Sequence, residues 1–172
     1  ADAAYSFDGV DDFIVVQDDS SLRPDHISLM VWLKTSMIEP PNAALGEQSI
    51  LIYKGDFDDA SNEQYGLDTD YSFGIKSESN CISGQGWNLV NSENNSIINE
   101  WHQFIGVFNG SVLKMYIDSE LIDSIDYTGT IDDCAGGELY FGQSWSSFPL
   151  NFNGSLDDIG IWNRALTPEE VQ

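Results

Sequence analysis

The residues best equipped for chemistry are carboxylates set beside turn glycines at the two ends of the chain. Near the start stands Phe7-Asp8-Gly9-Val10-Asp11-Asp12-Phe13-Ile14. Near the end stands Phe152-Asn153-Gly154-Ser155-Leu156-Asp157-Asp158-Ile159-Gly160-Ile161-Trp162. Each joins acidic side chains to a glycine and then enters an apolar strand. Calcium takes roughly six to eight oxygen ligands from carboxylates, backbone carbonyls and water. A compact β domain that brings its termini together would merge the two motifs into one calcium site. Its expected donors are Asp8, the Gly9 carbonyl and one of Asp157 and Asp158. Gly9 lacks a Cβ, so its backbone can approach an ion closely. Asp157 and Asp158 point to opposite faces of a regular strand, so one of them is expected as a direct ligand. The plainer alternative is that Asp8-Gly9 is only a turn.

A second acidic run, Asp56-Phe57-Asp58-Asp59, precedes Asn62 and Glu63 and is flanked by Asp68 and Asp70. It lacks the fixed glycine and terminal glutamate of a helix–loop–helix calcium hand. Two readings stay open: a solvated acidic loop, or the rim of a ligand site in which Asp56, Asp58 and Asp59 hold a cation that bridges sugar hydroxyls.

Aromatic residues beside small polar ones suit sugar binding. A ring stacks on the sugar, and neighbouring amides and hydroxyls bond its hydroxyl groups. Gly84-Gln85-Gly86-Trp87-Asn88 and Gln143-Ser144-Trp145-Ser146-Ser147 have this character. They nominate Trp87, Asn88 and Trp145, with Tyr65 and Tyr71 as weaker contacts. Trp32, Trp101 and Trp162 sit in strand patterns and are expected in the core. Support for catalysis is thin, and no catalytic residue is assigned. His26 and His102 are far apart, and no triad context, zinc spacing or phosphate loop is present.

Composition narrows the partners. The 172 residues carry 6 basic and 29 acidic side chains, for a formal charge of −23. Nucleic acid and anionic membrane surfaces both need clustered Lys and Arg, so neither is expected. With 41% hydrophobic and 12% aromatic residues, the chain can bury a core as one domain over residues 1–172. No stretch reaches transmembrane length. The opening Ala1-Asp2-Ala3-Ala4 runs straight into a strand and reads as an excised mature domain. Cys81 and Cys134 lie in loop-like sequence. A disulfide in an oxidising compartment is the favoured reading, and two free thiols the alternative.

Alternating apolar runs between turn residues predict the elements that position these groups. Strands are expected at 4–7, 13–16, 27–35, 49–53, 71–76, 87–90, 102–108, 112–117, 121–127, 139–143 and 154–162. Asn109-Gly110 signals a two-residue hairpin and Asp118-Ser119 the next turn. Along 27–35 one face is apolar, while Ser28, Met30, Trp32 and Lys34 make a mixed face expected to stay partly open. Thr167, Pro168 and Glu170 form a capping box for a short C-terminal helical turn. The pattern predicts an all-β, two-sheet antiparallel sandwich or jelly roll.

Several segments resemble the laminin-G-like and concanavalin A-like jelly-roll domains. They are Phe7-Asp8-Gly9-x-x-Asp12-Phe13-Ile14, Ile27 to Lys34, Trp101 to Gly110, Leu113 to Asp118 and, most specifically, Phe152 to Leu166. The resemblance implies a jelly roll with structural Ca²⁺ joining the termini, and it favours Asp158 over Asp157 as ligand. It implies a non-catalytic, lectin-like module of a secreted or cell-surface protein. The alternative is an adhesion or spacer domain that binds extracellular protein and carries purely structural calcium. Related sandwich glycosidases carry Glu-x-Asp-x-x-Glu, a run this chain lacks.

Overall fold

The computed structural model describes residues 3–37, 49–55, 62–69, 72–77, 81, 86–91, 98–143 and 151–172. The sequence readings on Asp56, Asp58, Asp59, Asp70, Tyr71 and Trp145 lie outside the described residues.

The described strands are β1 (Tyr5–Asp8), β2 (Ile14–Val16), β3 (Ile27–Thr35), β4 (Ile50–Lys54), β5 (Tyr65–Asp68) and β6 (Phe73–Lys76). They continue with β7 (Trp87–Val90), β8 (His102–Phe108), β9 (Val112–Ile117), β10 (Glu120–Asp126), β11 (Leu139–Phe141) and β12 (Asn153–Trp162). They form two antiparallel six-stranded sheets, ordered β1-β12-β3-β8-β9-β10 and β2-β11-β4-β5-β6-β7. The inner faces make one core in which Ile27, Leu29, Val31, Leu33, Phe104 and Phe108 of the first sheet meet Ile52, Leu67, Phe73 and Ile75 of the second. The predicted all-β sandwich is the observed fold. Strand β5 was not expected from the sequence; its pairing to β4 and β6 creates it.

Turn chemistry follows local rules at both ends of the β9 hairpins. Asp118 and Ser119 both have positive φ, 50° and 69°, the backbone of a tight two-residue turn. The Asn109 turn is wider than expected. Phe108 pairs with Leu113, and the Asn109 side chain accepts the Ser111 and Val112 N–H groups. It acts as an Asx turn.

The mixed face of β3 is less open than its sequence suggests. Ala165, Leu166 and Val171 of the C-terminal segment pack over Met30, Ile105, Val107 and Tyr116. Ser28 is fully buried; its hydroxyl donates to the Arg164 carbonyl (3.0 Å) and accepts the Leu166 N–H (2.9 Å). The expected helical turn is one turn, closed by the Val171 N–H on the Thr167 carbonyl. Glu170 accepts the Thr167 N–H, as a capping box requires, and forks onto Arg164 at 2.7 and 2.8 Å. The Arg164 bonds, then the Thr167 N–H, hold the Glu170 carboxyl down at about 2.

Cys81 and Cys134 are joined in a disulfide, 53 residues apart in sequence. It ties the β6–β7 connection to the 131–138 segment, which runs along one end of the second sheet. There the Gln64 amide donates to the Cys134 carbonyl, and the Asp132 N–H donates to the Lys76 carbonyl. Fully buried Lys54 is held in the same region by Asp18 at 2.8 Å and by the Gly136 and Gly137 carbonyls. Partial burial pushes the Asp18 carboxyl up. The Lys54 and Gly136 hydrogen bonds and the charges of Lys54 and Arg23 outweigh it, and the net shift is downward.

Candidate functional site

Strand parity decides which side chains of the second sheet face outward. Ile14, Phe141, Ile52, Leu67, Phe73 and Val90 lie in register across all six strands and point into the core. One residue along, Val15, Tyr140, Tyr53, Gly66, Gly74 and Leu89 make the matching outward row. At the middle of that row two glycines pair, so the sheet surface drops to bare backbone. The result is a groove of about 470 Å³ lined by Ile50, Tyr53, Leu67, Asp68, Trp87 and Leu89 above the glycine floor.

The aromatic walls are fixed by one carboxylate. Buried Glu63 accepts the Tyr53 hydroxyl at 2.8 Å through Oε1. Through Oε2 it accepts the Trp87 indole N–H at 3.2 Å and faces the fully buried Lys76 ammonium at 3.5 Å. Trp87 is half-buried and Leu89 is 50% exposed, so apolar surface is presented to solvent here. At the far end Asp68 accepts the Ser72 N–H and turns β5 into β6.

Of the nominated ligand contacts, Trp87 stands in this groove. Asn88 and Tyr65 do not. Parity turns Asn88 to the same side as Ile75, and its amide donates to Ser77 and Gly86. Tyr65 is wholly buried, and its hydroxyl donates to the Leu22 carbonyl. Burial, with a smaller push from the Asp18 charge, drives its pKa well up. Tyr53, Gly66, Gly74 and Leu89 complete its lining, and buried Glu63 stands behind it. Of the two glycines, only Gly74 lies in an expected strand, 71–76; Gly66 gives no signal because β5 takes its conformation from its pairing to β4 and β6. The tryptophans assigned to the core are not in it. Trp32 and Trp162 are half-buried, and Trp101 is 40% exposed.

The acidic ends are arranged differently from the sequence expectation. Asp8 lies opposite Asn153, and Asp158 lies five residues further along β12, roughly 16 Å away at strand spacing. The strand also bulges between Asp157 and Gly160, and Asp158 sits at φ 45° with its N–H on the Asp157 carboxylate. Register therefore separates Asp157 and Asp158 from Asp8 and Gly9. What comes together instead is Asp8, Asp11 and Asp12, each offering a carboxylate oxygen within 4.8 Å of the others. Gly9, at φ 77°, turns the loop, and Asp8 caps it by accepting the Val10 N–H. Asp12 accepts the Asp8 N–H. Asn151 donates to the Val10 carbonyl, and its own buried Oδ1 has no hydrogen-bond partner. Among the described residues, no Lys or Arg pairs with the three carboxylates. An all-oxygen, strongly anionic donor set of this kind fits a hard cation such as calcium.

The family model for the concanavalin A-like lectin/glucanases superfamily, Laminin_G_3, matches residues 8–172. The chain belongs to that family. Among solved structures it is similar to domain 4 of AbnA, an extracellular arabinanase of Geobacillus stearothermophilus solved in complex with arabinotriose. The TM-score is 0.71 and the identity 15%, over 98% of this chain and 74% of that one. It is also similar to the heptameric SAP-like pentraxin of Limulus polyphemus, with a TM-score of 0.62 and 14% identity, over 96% and 78% of the two chains. The mouse laminin alpha1 domains LG4-5 match with a TM-score of 0.66 and 11% identity, over 95% of this chain and 44% of that one. Likeness at these identities speaks for the fold alone. No curated protein sequence matches the chain. Among the described residues, no helix is long and apolar enough to cross a membrane.

Proposed function

We propose that the protein is a non-catalytic, lectin-like module of a larger secreted or cell-surface protein, and that it binds a poly- or oligosaccharide in the groove of the second sheet. The observation that carries this reading is the glycine-floored groove between Tyr53 and Trp87. Half-buried Trp87, held by Glu63 beside exposed Leu89, offers an apolar face that suits stacking on the carbon face of a sugar, and buried Tyr53 closes the other side of the groove. The disulfide suits an oxidising compartment, and arabinotriose on a fold-mate makes a sugar ligand a natural first test. Wild type binds at least one glycan in a panel of soluble polysaccharides, read by affinity electrophoresis. Trp87→Ala weakens that binding tenfold or more, the loss of one interface anchor. Unchanged binding by Trp87→Ala moves the ligand off this groove.

The Asp8–Asp12 loop is the proposed calcium site, with Asp8, Asp11 and Asp12 as carboxylate donors. Calcium there would neutralise three neighbouring charges and pin β1 and β2 at the edges of the two sheets. Calcium then raises the melting temperature of metal-stripped protein, and acid reverses the effect because protonation releases the ion. Asp8→Asn/Asp12→Asn loses the calcium-dependent shift, and Asp158→Asn keeps it. A shift that survives in the double variant places the ion elsewhere.

A further inference from the structure

Strand glycines carry a conformational cost, so each asks for a reason. The described strands contain Gly66, Gly74, Gly106, Gly154 and Gly160. Three are held by close packing, and Gly74 shares the groove floor. A Cβ on Gly74 would come within 2.3 Å of the outer end of the exposed Leu89 side chain and 3.1 Å of the Trp87 ring, and one on Gly106 within 2.4 Å of the buried Phe73 ring. A Cβ on Gly154 would lie 2.4 Å from the Lys34 carbonyl, and one on Gly160 2.3 Å from the Trp162 ring. Gly66 has no such reason. A Cβ there would make only ordinary contacts, 3.5 Å to the Ile52 carbonyl and 3.6 Å to Tyr53, and its φ lies outside the left-handed region. The fold would accept alanine at 66, yet the space above it is kept open at the centre of the groove.

We infer that Gly66 is the specificity-determining position of the groove: its bare backbone seats one flat, uncharged sugar ring between Tyr53 and Trp87. This rests on the carbohydrate reading above and adds to it the residue and the ligand's charge. The surroundings set the charge. Asp68 borders the groove at one end and Glu63 stands behind the other. The cation beside them, Lys76, is fully buried against Glu63. A carboxylated or sulfated sugar would meet like charge here and no exposed cation, on a chain of net charge −23.

The test compares wild type, Gly66→Ala and Gly66→Ser on neutral arabinan, mixed-linkage β-glucan and galactomannan, with polygalacturonate and heparin as anionic probes. Thermal melts run in parallel. The expected result is binding of a neutral polymer by wild type, at least tenfold tighter than either anionic probe. Both variants lose that binding at least tenfold while melting at or above the wild-type temperature. Wild-type affinity retained in Gly66→Ala overturns the inference and leaves the carbohydrate reading standing, as does tighter binding of an anionic probe. Binding of none of the polymers by wild type overturns both. A drop in melting temperature in both variants also overturns the inference, because the glycine would then serve packing.

Discussion

Removing the Cys81–Cys134 disulfide costs the fold about 4 kcal/mol, the chain-entropy value for a loop of this length. For a domain of this size that lowers the melting temperature by about 8–16 °C. The bond joins two segments that hold one end of the second sheet. On one side is the β6–β7 connection, whose Gly86 carbonyl accepts the Ser77 N–H just before Trp87. On the other is the 131–138 segment, which supplies the Cys134 carbonyl to Gln64 and the Gly136 and Gly137 carbonyls to Lys54. Cys81→Ala/Cys134→Ala is therefore expected to loosen the Trp87 end of the groove as well as lower the melting point. Thermal melts of the double variant and of reduced wild type check this. A fall of only a degree or two would mean that the hydrogen bonds across these segments hold them without the bond.

Glu63→Ala is the second large effect, with an expected loss of about 3–5 kcal/mol, the range for breaking a buried ion pair from one side. The substitution takes the carboxylate away from the fully buried Lys76 ammonium and from two ring donors, the Tyr53 hydroxyl and the Trp87 indole. Glu63→Gln/Lys76→Met removes both charges while keeping an oxygen for the rings, and regains most of the stability. Urea denaturation of the three proteins reads the difference. If Glu63→Ala costs no more than an ordinary surface substitution, the carboxylate does not hold the groove walls.

Much of the sandwich was legible because apolar and aromatic runs bounded by turn residues mark Ile27–Thr35, His102–Phe108 and Val112–Ile117 as strands; the burial of their outer face under the C-terminal segment was not. Strand β5 was not, because Tyr65-Gly66-Leu67-Asp68 has only two apolar core residues and takes its conformation from its neighbours. Of the nominated residues, the structure brings some together and separates others. Acidic turns and loop-like tryptophans pointed to a cation and a sugar-type surface. Parity within β7, which neighbouring residue types do not reveal, then put Trp87 outside and Asn88 inside. Register defeated the Asp8–Asp158 pairing: two motifs can share adjacent strands and still face different partners along them. The compact cluster came from sequence neighbours instead, Asp8, Asp11 and Asp12, gathered by one tight turn.

Whether the groove of the second sheet binds glycan is tested most directly by a backbone amide NMR titration of the intact domain with the glycan that binds best in the panel. The strongest shifts are expected on Tyr53, Gly66, Gly74, Trp87 and Leu89, with the Trp87 indole signal moving alongside them. Shifts confined to the outer face of the first sheet, or to the Asp8–Asp12 loop alone, would contradict binding in the groove.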